Sequence, residues 1–129
     1  MNSDYPADLK YTSEHEWARL EGDVIRVGIT FYAQDALGDV VYVELPDAGA
    51  RVTQDAPFGE IQSPKAVSDL FAPVTGEIAE RNEEIVAAPE LVNDDPYGEG
   101  WLIRIRLSDS SEVDQLLDLH AYEQVLADS

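Results

Sequence analysis

The chain has 129 residues, of which 27 are acidic and 8 basic, and its formal net charge is −19 at pH 7. Residues 1–129 are long enough for one domain that buries a core without disulfides or a structural metal. The acidic excess argues against a nucleic-acid binder and against a protein that docks on anionic membranes, because both depend on basic surface. There is no cysteine, so thiolate metal sites and cysteine nucleophiles are excluded.

The start of the chain carries neither a basic segment nor an apolar one of the kind found in signal peptides. No apolar stretch is long enough to span a bilayer. We therefore expect a cytoplasmic protein. The polar composition of residues 1–10 predicts a loose N-terminus.

Apolar and polar residues alternate over 16–20 and again over 24–29, with a Glu-Gly-Asp break between them. This pattern predicts a β-hairpin. Thr30 is a candidate N-cap for a short helix over 31–37, which Gly38 would end.

Further short strands are predicted between turn signals, at residues 40–45, 58–62, 66–71, 76–80 and 101–107. Many short strands at close spacing favour an all-β barrel or sandwich, whose core we place at 24–107. Residues 108–129 change character and predict one or two short helices. Ser108 or Ser110 is the candidate cap of the first, and the second begins at about Ala121.

No metal site or active site is predicted. His15 and His120 lie at opposite ends of the chain, outside any paired-histidine motif. Residues 93–98 resemble the start of a calcium loop, but Arg104 occupies the position of the closing acid. Nucleophile elbows, phosphate-binding glycine loops and dinucleotide fingerprints are all missing, and close pairs of acids are expected in so acidic a chain.

Lys65 is one of only two lysines in the chain, and it stands in a turn between two apolar runs. Pro64 presets that turn through its fixed φ, so the lysine side chain should point outward from a hairpin tip. Asp69 and Glu60 lie near enough in sequence to orient a modifying enzyme. An isolated exposed amine suits covalent attachment, although an ordinary surface lysine fits the same pattern, and the residues alone do not identify the group.

The sequence contains several long, specific blocks, at residues 65–78, 13–17, 27–30, 32–46 and 90–101. These blocks resemble the glycine cleavage system H protein family, a family of lipoyl carriers, and residues 65–78 closely resemble its lipoyl-lysine segment. The resemblance implies a mainly β lipoyl-domain fold, the barrel-sandwich hybrid, with added short helices that include one or two at the C-terminus.

The resemblance also implies a role. Lys65 would carry lipoic acid in amide linkage, which removes its charge, after attachment by a lipoate ligase or lipoyltransferase. In the family, a pyridoxal-phosphate glycine decarboxylase loads the aminomethyl group of glycine onto this arm. A tetrahydrofolate-dependent aminomethyltransferase unloads it, and dihydrolipoamide dehydrogenase reoxidises the dithiol. The carrier itself performs no catalysis.

By the same resemblance, Glu16 matches an acid of the family's N-terminal signature and would pair with the loaded amine in a cleft. Gln62, Asp69 and Gly76 are candidates for recognition by the lipoate-attaching enzyme. The sequence departs from the family before the lysine, since Gln62 and Pro64 replace the usual glutamate and valine.

Three alternatives stay open. One is an H-like lipoate-binding protein of another pathway, such as sulfur oxidation. A biotin carrier is disfavoured, because biotinyl lysines usually lie between methionines and this one lies between Pro64 and Ala66. The third is an unmodified interaction module, which the missing acid at Gln62 would favour.

Overall fold

The computed structural model describes residues 5–128 and contains two antiparallel β-sheets with short helices between their strands. The strands are β1 Lys10–Tyr11, β2 Glu16–Glu21, β3 Val24–Ile29, β4 Tyr42–Glu44, β5 Arg51–Val52, β6 Pro57–Ser63, β7 Ala66–Phe71, β8 Gly76–Arg81 and β9 Ile103–Leu107. The helices are α1 Phe31–Leu37, α2 Glu83–Ala87, α3 Leu91–Asp94 and α4 Leu119–Ala127, and Ser110–Gln115 form a 3₁₀ helix. The large sheet has the order β1-β2-β3-β9-β8-β5 and the small one β4-β6-β7. The prediction of a mainly β fold with short helices is confirmed.

The first hairpin and the helix that follows it are as predicted. Strands β2 and β3 pair antiparallel, and Gly22 has a φ of 70° in the turn between them. The Thr30 side chain caps α1 by accepting from the Ala33 N–H. Gly38 ends the helix with a φ of 83° and donates its N–H to the Gln34 carbonyl, a conformation that glycine adopts without a steric penalty.

Two predicted strands are too long. The strand expected at 40–45 is limited to β4. Its predicted first residue lies outside the sheet, because the Val40 N–H donates to Oδ1 of Asn93 instead of to a neighbouring strand. The strand expected at 101–107 begins at Ile103, since the Trp101 carbonyl accepts from the side chain of Asn82.

The prediction of a loose N-terminus is wrong for residues 5–10, and residues 1–4 lie outside the described part of the chain. Leu9 is only 2% exposed, β1 begins at Lys10, and the Tyr11 hydroxyl donates to the Pro6 carbonyl. Burial of Leu9 and Tyr11 supplies the apolar free energy that orders this segment. Strand β2 also lies in the large sheet, ahead of the expected start of the core at 24.

The tail is helical as predicted, but the predicted cap of the first helix is wrong, and the second helix begins slightly earlier than predicted. Asp109, rather than a serine, caps the 3₁₀ helix by accepting from the Ser111 N–H. Helix α4 begins at Leu119, where Asp118 accepts from the Ala121 N–H. Aspartate and serine are equally good N-caps. The point at which the helix begins, and not the residue type, therefore determines which residue serves as the cap.

Two hydrophobic clusters hold these elements together. The larger cluster joins both sheets and includes Val27 of β3, Ile61 of β6 and Ile105 of β9. The smaller cluster is built on Leu9, Tyr11, Trp17 and Tyr122, and we call it the aromatic cluster. It attaches α4 to β1 and β2.

Asn93 braces the loop after α1. Its Oδ1 accepts from the Val40 N–H at 2.8 Å, while its Nδ2 donates to the Gly38 carbonyl at 2.8 Å and to Oε1 of Gln34 at 3.0 Å. We expect Asn93→Ala to lower the free energy of unfolding by about 2–3 kcal/mol, because the partners lose these bonds. Urea denaturation measures this loss. The neighbouring Asp94→Ala is the control and should change stability by no more than about 0.5 kcal/mol; equal losses would contradict the bracing role.

Candidate functional site

Lys65 lies at the tip of the hairpin formed by β6 and β7. Ser63 pairs with Ala66, so Pro64 and Lys65 alone make the turn. The lysine side chain is exposed. The predicted hairpin is therefore present, and it presents the Lys65 amine to solvent.

The stem of Lys65 passes over Gly38 at the end of α1. A Cβ atom placed on Gly38 would lie 3.5 Å from Cε of Lys65 and 4.0 Å from its Nζ. Because Asn93 holds the Gly38 carbonyl, the surface beneath the lysine is fixed by three hydrogen bonds of one side chain. The loop braced by Asn93 thus meets the hairpin tip.

A cleft of about 380 Å³ opens beside the hairpin, between β7 and α1. Helix α1 lines it with Tyr32, Ala33, Ala36 and Leu37, and β7 lines it with residues 66–70. The segment before and at the start of β2 contributes Glu14, His15 and Glu16. The cleft thus combines apolar walls with a carboxylate-bearing segment, as expected for a site that holds an apolar group with a polar end.

Glu16 is the buried acid of this cleft, with only 2% of its surface exposed. Its Oε1 accepts from the Thr12 hydroxyl at 2.7 Å, and its Oε2 accepts from the Phe71 N–H at 3.2 Å. Burial raises the pKa of Glu16 to about 7, against the opposing effect of these two hydrogen bonds; the charges of Glu14 and Asp55 raise it further. The carboxyl therefore changes its charge near neutral pH.

His15 reaches the same cleft, which the sequence did not predict. Its φ of 70° is unusual for a residue with a large side chain. The imidazole lies 4.4 Å from the Tyr32 ring, and its Nδ1 is 2.8 Å from the hydroxyl of Tyr122. Burial lowers the pKa of His15. In the sequence, the only sign that His15 belongs to the site was its position next to Glu16. Nothing in the sequence indicated that Tyr122 of α4 contacts it.

Two recognition candidates flank Lys65 on the small sheet. Gln62 pairs with Val67, and Asp69 pairs with Glu60, which in turn pairs with Glu44 of β4. Directly opposed residues share a face of the sheet, so Glu44, Glu60 and Asp69 form one acidic row. Nε2 of Gln62 donates to Oε1 of Glu60 at 2.9 Å, which links the first candidate to this row.

Gly76 lies on the large sheet instead, at the start of β8. A Cβ atom there would lie 2.1 Å from the Arg106 carbonyl oxygen and 2.7 Å from Cγ2 of Ile105. Close packing against β9 is thus enough to require glycine at this position.

Residues 5–128 contain no cluster of side chains suited to holding a metal ion. Within the same residues, no helix has the length and apolar character needed to cross a membrane.

The fold and the site together define a class: small β proteins that present one lysine on a hairpin beside an apolar cleft with a buried acid. The sequence model described as glycine cleavage H-protein matches residues 9–129. The chain therefore belongs to the glycine cleavage H-protein family, and this membership supports a lipoyl carrier role in the glycine cleavage system.

Individual relatives agree with this placement. The chain is 57% identical over 111 residues to the glycine cleavage system H protein of Rubrobacter xylanophilus, covering 86% of this chain and 88% of the relative. It is 53% identical to that of Symbiobacterium thermophilum over 118 residues, or 92% of each chain. The crystal structure of a glycine cleavage system H protein from Mycobacterium marinum superposes with a TM-score of 0.85 at 42% identity, covering 92% of this chain and 95% of that one. The fold is accordingly the lipoyl-domain barrel-sandwich hybrid.

Glu16 should make stability depend on pH. Its pKa is raised in the folded chain from 4.5 to about 7, so its stabilising contribution is complete below pH 4.5 and is lost as the pH rises towards 7. Relative to Glu16→Gln, the wild-type chain should lose up to about 3 kcal/mol across this window. Urea denaturation at a series of pH values measures the difference.

Glu14→Gln is the matched control, because it removes one acidic charge from the same cleft. An identical pH dependence for both variants would contradict the assignment to Glu16.

Proposed function

We propose that this chain is the lipoyl carrier of the glycine cleavage system, shuttling the aminomethyl group of glycine from the decarboxylase to the aminomethyltransferase on an arm at Lys65. The observation that carries the proposal is the placement of the Lys65 turn beside a cleft that contains a buried acid. A tether that visits several enzymes needs an exposed anchor, and a cargo sensitive to water needs a sheltered site between visits.

The residues around Lys65 suit lipoic acid. The stem over Gly38 leads towards walls made by Ala36, Leu37 and Ala66, which suit an aliphatic chain. When bound, the group supplies a dithiolane that exchanges with thiols and carries a transferred group. The chain contains no cysteine, so it has no thiol of its own to compete in that exchange.

Glu16 would hold a cationic amine at the end of the arm. While the cleft is empty, the raised pKa keeps much of the carboxyl protonated near neutral pH, which avoids an uncompensated buried charge. An entering ammonium group favours the charged form, so the carboxyl releases its proton and an ion pair forms. The hydrogen bonds from Thr12 and Phe71 aim the carboxylate and hold it in place.

The partners follow from the same role. They are a pyridoxal-phosphate glycine decarboxylase, a tetrahydrofolate-dependent aminomethyltransferase, dihydrolipoamide dehydrogenase, and a lipoate ligase or lipoyltransferase. A net charge of −19 supports fast, salt-sensitive encounter with basic faces on such enzymes. The proposal assigns no catalytic step to the chain itself, and it places carrier and enzymes together in the cytoplasm.

Recognition by the attaching enzyme is assigned to the surface beside the turn. Gln62 and Asp69 lie on the strands that lead to and from Lys65, where a docked enzyme would meet them. The contribution proposed for Gly76 is indirect, through the close packing of β8 on β9 that supports the small sheet.

Lys65 and Lys10 provide a two-site test of attachment, since they are the only lysines. With lipoate, ATP and a lipoate ligase, the wild-type chain and Lys10→Arg should each gain the mass of one lipoyl group. Lys65→Arg should gain none and should lose all support of glycine-dependent carbon dioxide exchange. Modification of Lys65→Arg, seen by intact mass, would show that the attachment site is elsewhere.

Gln62→Glu tests the departure from the family before the lysine. We expect modification by the ligase to become faster, by up to about tenfold for one regained charged contact. The variant should also be less stable by about 0.5–1 kcal/mol, because a carboxylate beside Glu60 replaces a hydrogen bond. Initial rates by mass spectrometry and urea denaturation measure the two effects.

Gln115→Glu is the control for Gln62→Glu, because it adds the same charge on the exposed 3₁₀ helix. If both variants were modified at the same rate, Gln62 would have no part in recognition.

A further inference from the structure

One buried hydroxyl connects two of the elements that line the cleft. Tyr122 of α4 is fully buried, and its hydroxyl lies 2.8 Å from Nδ1 of His15 and 2.8 Å from Oγ1 of Thr30. His15 belongs to the segment that carries Glu16, whereas Thr30 caps α1, which forms one wall of the cleft. A single atom of the C-terminal helix therefore bonds to both elements.

The three groups can be satisfied together. Oγ1 of Thr30 accepts from the Ala33 N–H at the helix cap. In one arrangement that satisfies all three groups, Oγ1 of Thr30 donates to the Tyr122 oxygen and the Tyr122 hydroxyl donates to Nδ1 of a neutral His15. Each donor has an acceptor in this chain of bonds, and bonds in such a chain strengthen one another in a buried environment.

The aromatic cluster holds the Tyr122 hydroxyl in position. The Tyr122 ring stacks on Tyr11, with ring centres 4.6 Å apart and planes 8° from parallel. Tyr5 meets it edge-on, with ring centres 5.7 Å apart. Packing of this kind restricts the ring and therefore fixes where its hydroxyl points.

The backbone of His15 depends on such support. A φ of 70° costs free energy for a histidine and persists where surrounding contacts hold it. Those contacts include the bond from Tyr122, the ring of Tyr32, and two backbone bonds. The His15 carbonyl accepts from the Thr30 N–H at 3.0 Å, and the His15 N–H donates to the Thr12 carbonyl at 3.1 Å. The next residue is Glu16, so the same conformation directs its carboxyl into the cleft.

We propose that Tyr122 is a positioning residue of the cleft, whose hydroxyl ties the His15 segment to the start of α1 and so keeps water away from Glu16. The C-terminal helix thereby determines how well the site is shielded from water, although its own residues do not line the cleft. The identity of the sheltered amine rests on the proposed function, whereas the tie itself is a property of the unmodified chain.

Tyr122→Phe removes the tie made by the hydroxyl, and it leaves in place the ring packing and the backbone bond from the Thr30 N–H to the His15 carbonyl. Tyr11→Phe is the matched control, because it removes a buried hydroxyl from the same cluster whose partner is the Pro6 carbonyl rather than the cleft. In the unmodified chain, carboxyl NMR should show the Glu16 titration midpoint falling by about one pH unit in Tyr122→Phe, as water reaches the acid. In Tyr11→Phe the midpoint should stay at its wild-type position.

A second pair of variants covers the case in which Tyr122→Phe does not fold. Thr30→Val removes the hydroxyl that meets Tyr122, whereas Thr30→Ser keeps it together with the helix cap. Thr30→Val should lower the midpoint of the Glu16 titration, and Thr30→Ser should leave it at the wild-type value.

The loaded chain gives a separate readout. Tyr122→Phe should lose its carried amine to water several-fold faster than Tyr11→Phe, while both are modified equally at Lys65. An unchanged Glu16 midpoint in both Tyr122→Phe and Thr30→Val would overturn the proposal. Because that midpoint is measured without lipoate, failure of the tie is distinguishable from failure of Lys65 as the anchor.

Discussion

Antiparallel pairing of β6 with β7, in an unbroken register from Gly59 to the turn, places Ser63 opposite Ala66 and leaves Pro64 and Lys65 to make the turn. The same register decides which side chains of β7 are buried, since Leu70 is 2% exposed and Val67 is 62% exposed. A shift of one residue would exchange the two faces of the strand. It would turn Leu70 into solvent and remove the apolar lining that β7 gives the cleft, so both the proposed anchor and its proposed shelter depend on this pairing.

The second requirement of the proposed role is a buried acid whose charge would respond to a bound amine. A carboxylate held permanently ionised at the position of Glu16 would need a permanent partner, and one without hydrogen bonds would have no fixed direction. Thr12 and the Phe71 N–H supply direction, while burial keeps the pKa near neutrality. The Phe71 N–H belongs to β7 itself, so the strand that follows the anchor also orients the acid. Anchor, wall and acid are thereby parts of one rigid arrangement.

Sequence patterns predicted the features that local chemistry decides. Pro64 before Lys65 marked the turn, and Thr30 with Gly38 marked both ends of α1, because caps and turns depend on residues a few positions apart. The tie through Tyr122 lay beyond reach, since His15 and Tyr122 are separated by 107 residues and neither belongs to a pattern that predicts their contact. The ordered segment around Leu9 was missed for the same reason. Its apolar cluster includes Tyr122 of the C-terminal helix as well as Trp17 of β2, and a short polar stretch gives no sign of such partners.

The acidic row of Glu44, Glu60 and Asp69 runs across the small sheet just behind the turn. Like charges placed opposite one another repel, and Lys65 is the one cationic side chain on the hairpin that could offset them. Acylation of this amine takes away that offset and moves the net charge one unit beyond −19. The modified tip therefore carries a stronger negative potential than the unmodified one. In the proposed carrier, lipoylation of Lys65 would therefore also change the charge that the tip presents, and a basic docking face would distinguish the modified chain from the unmodified one before it contacts the arm.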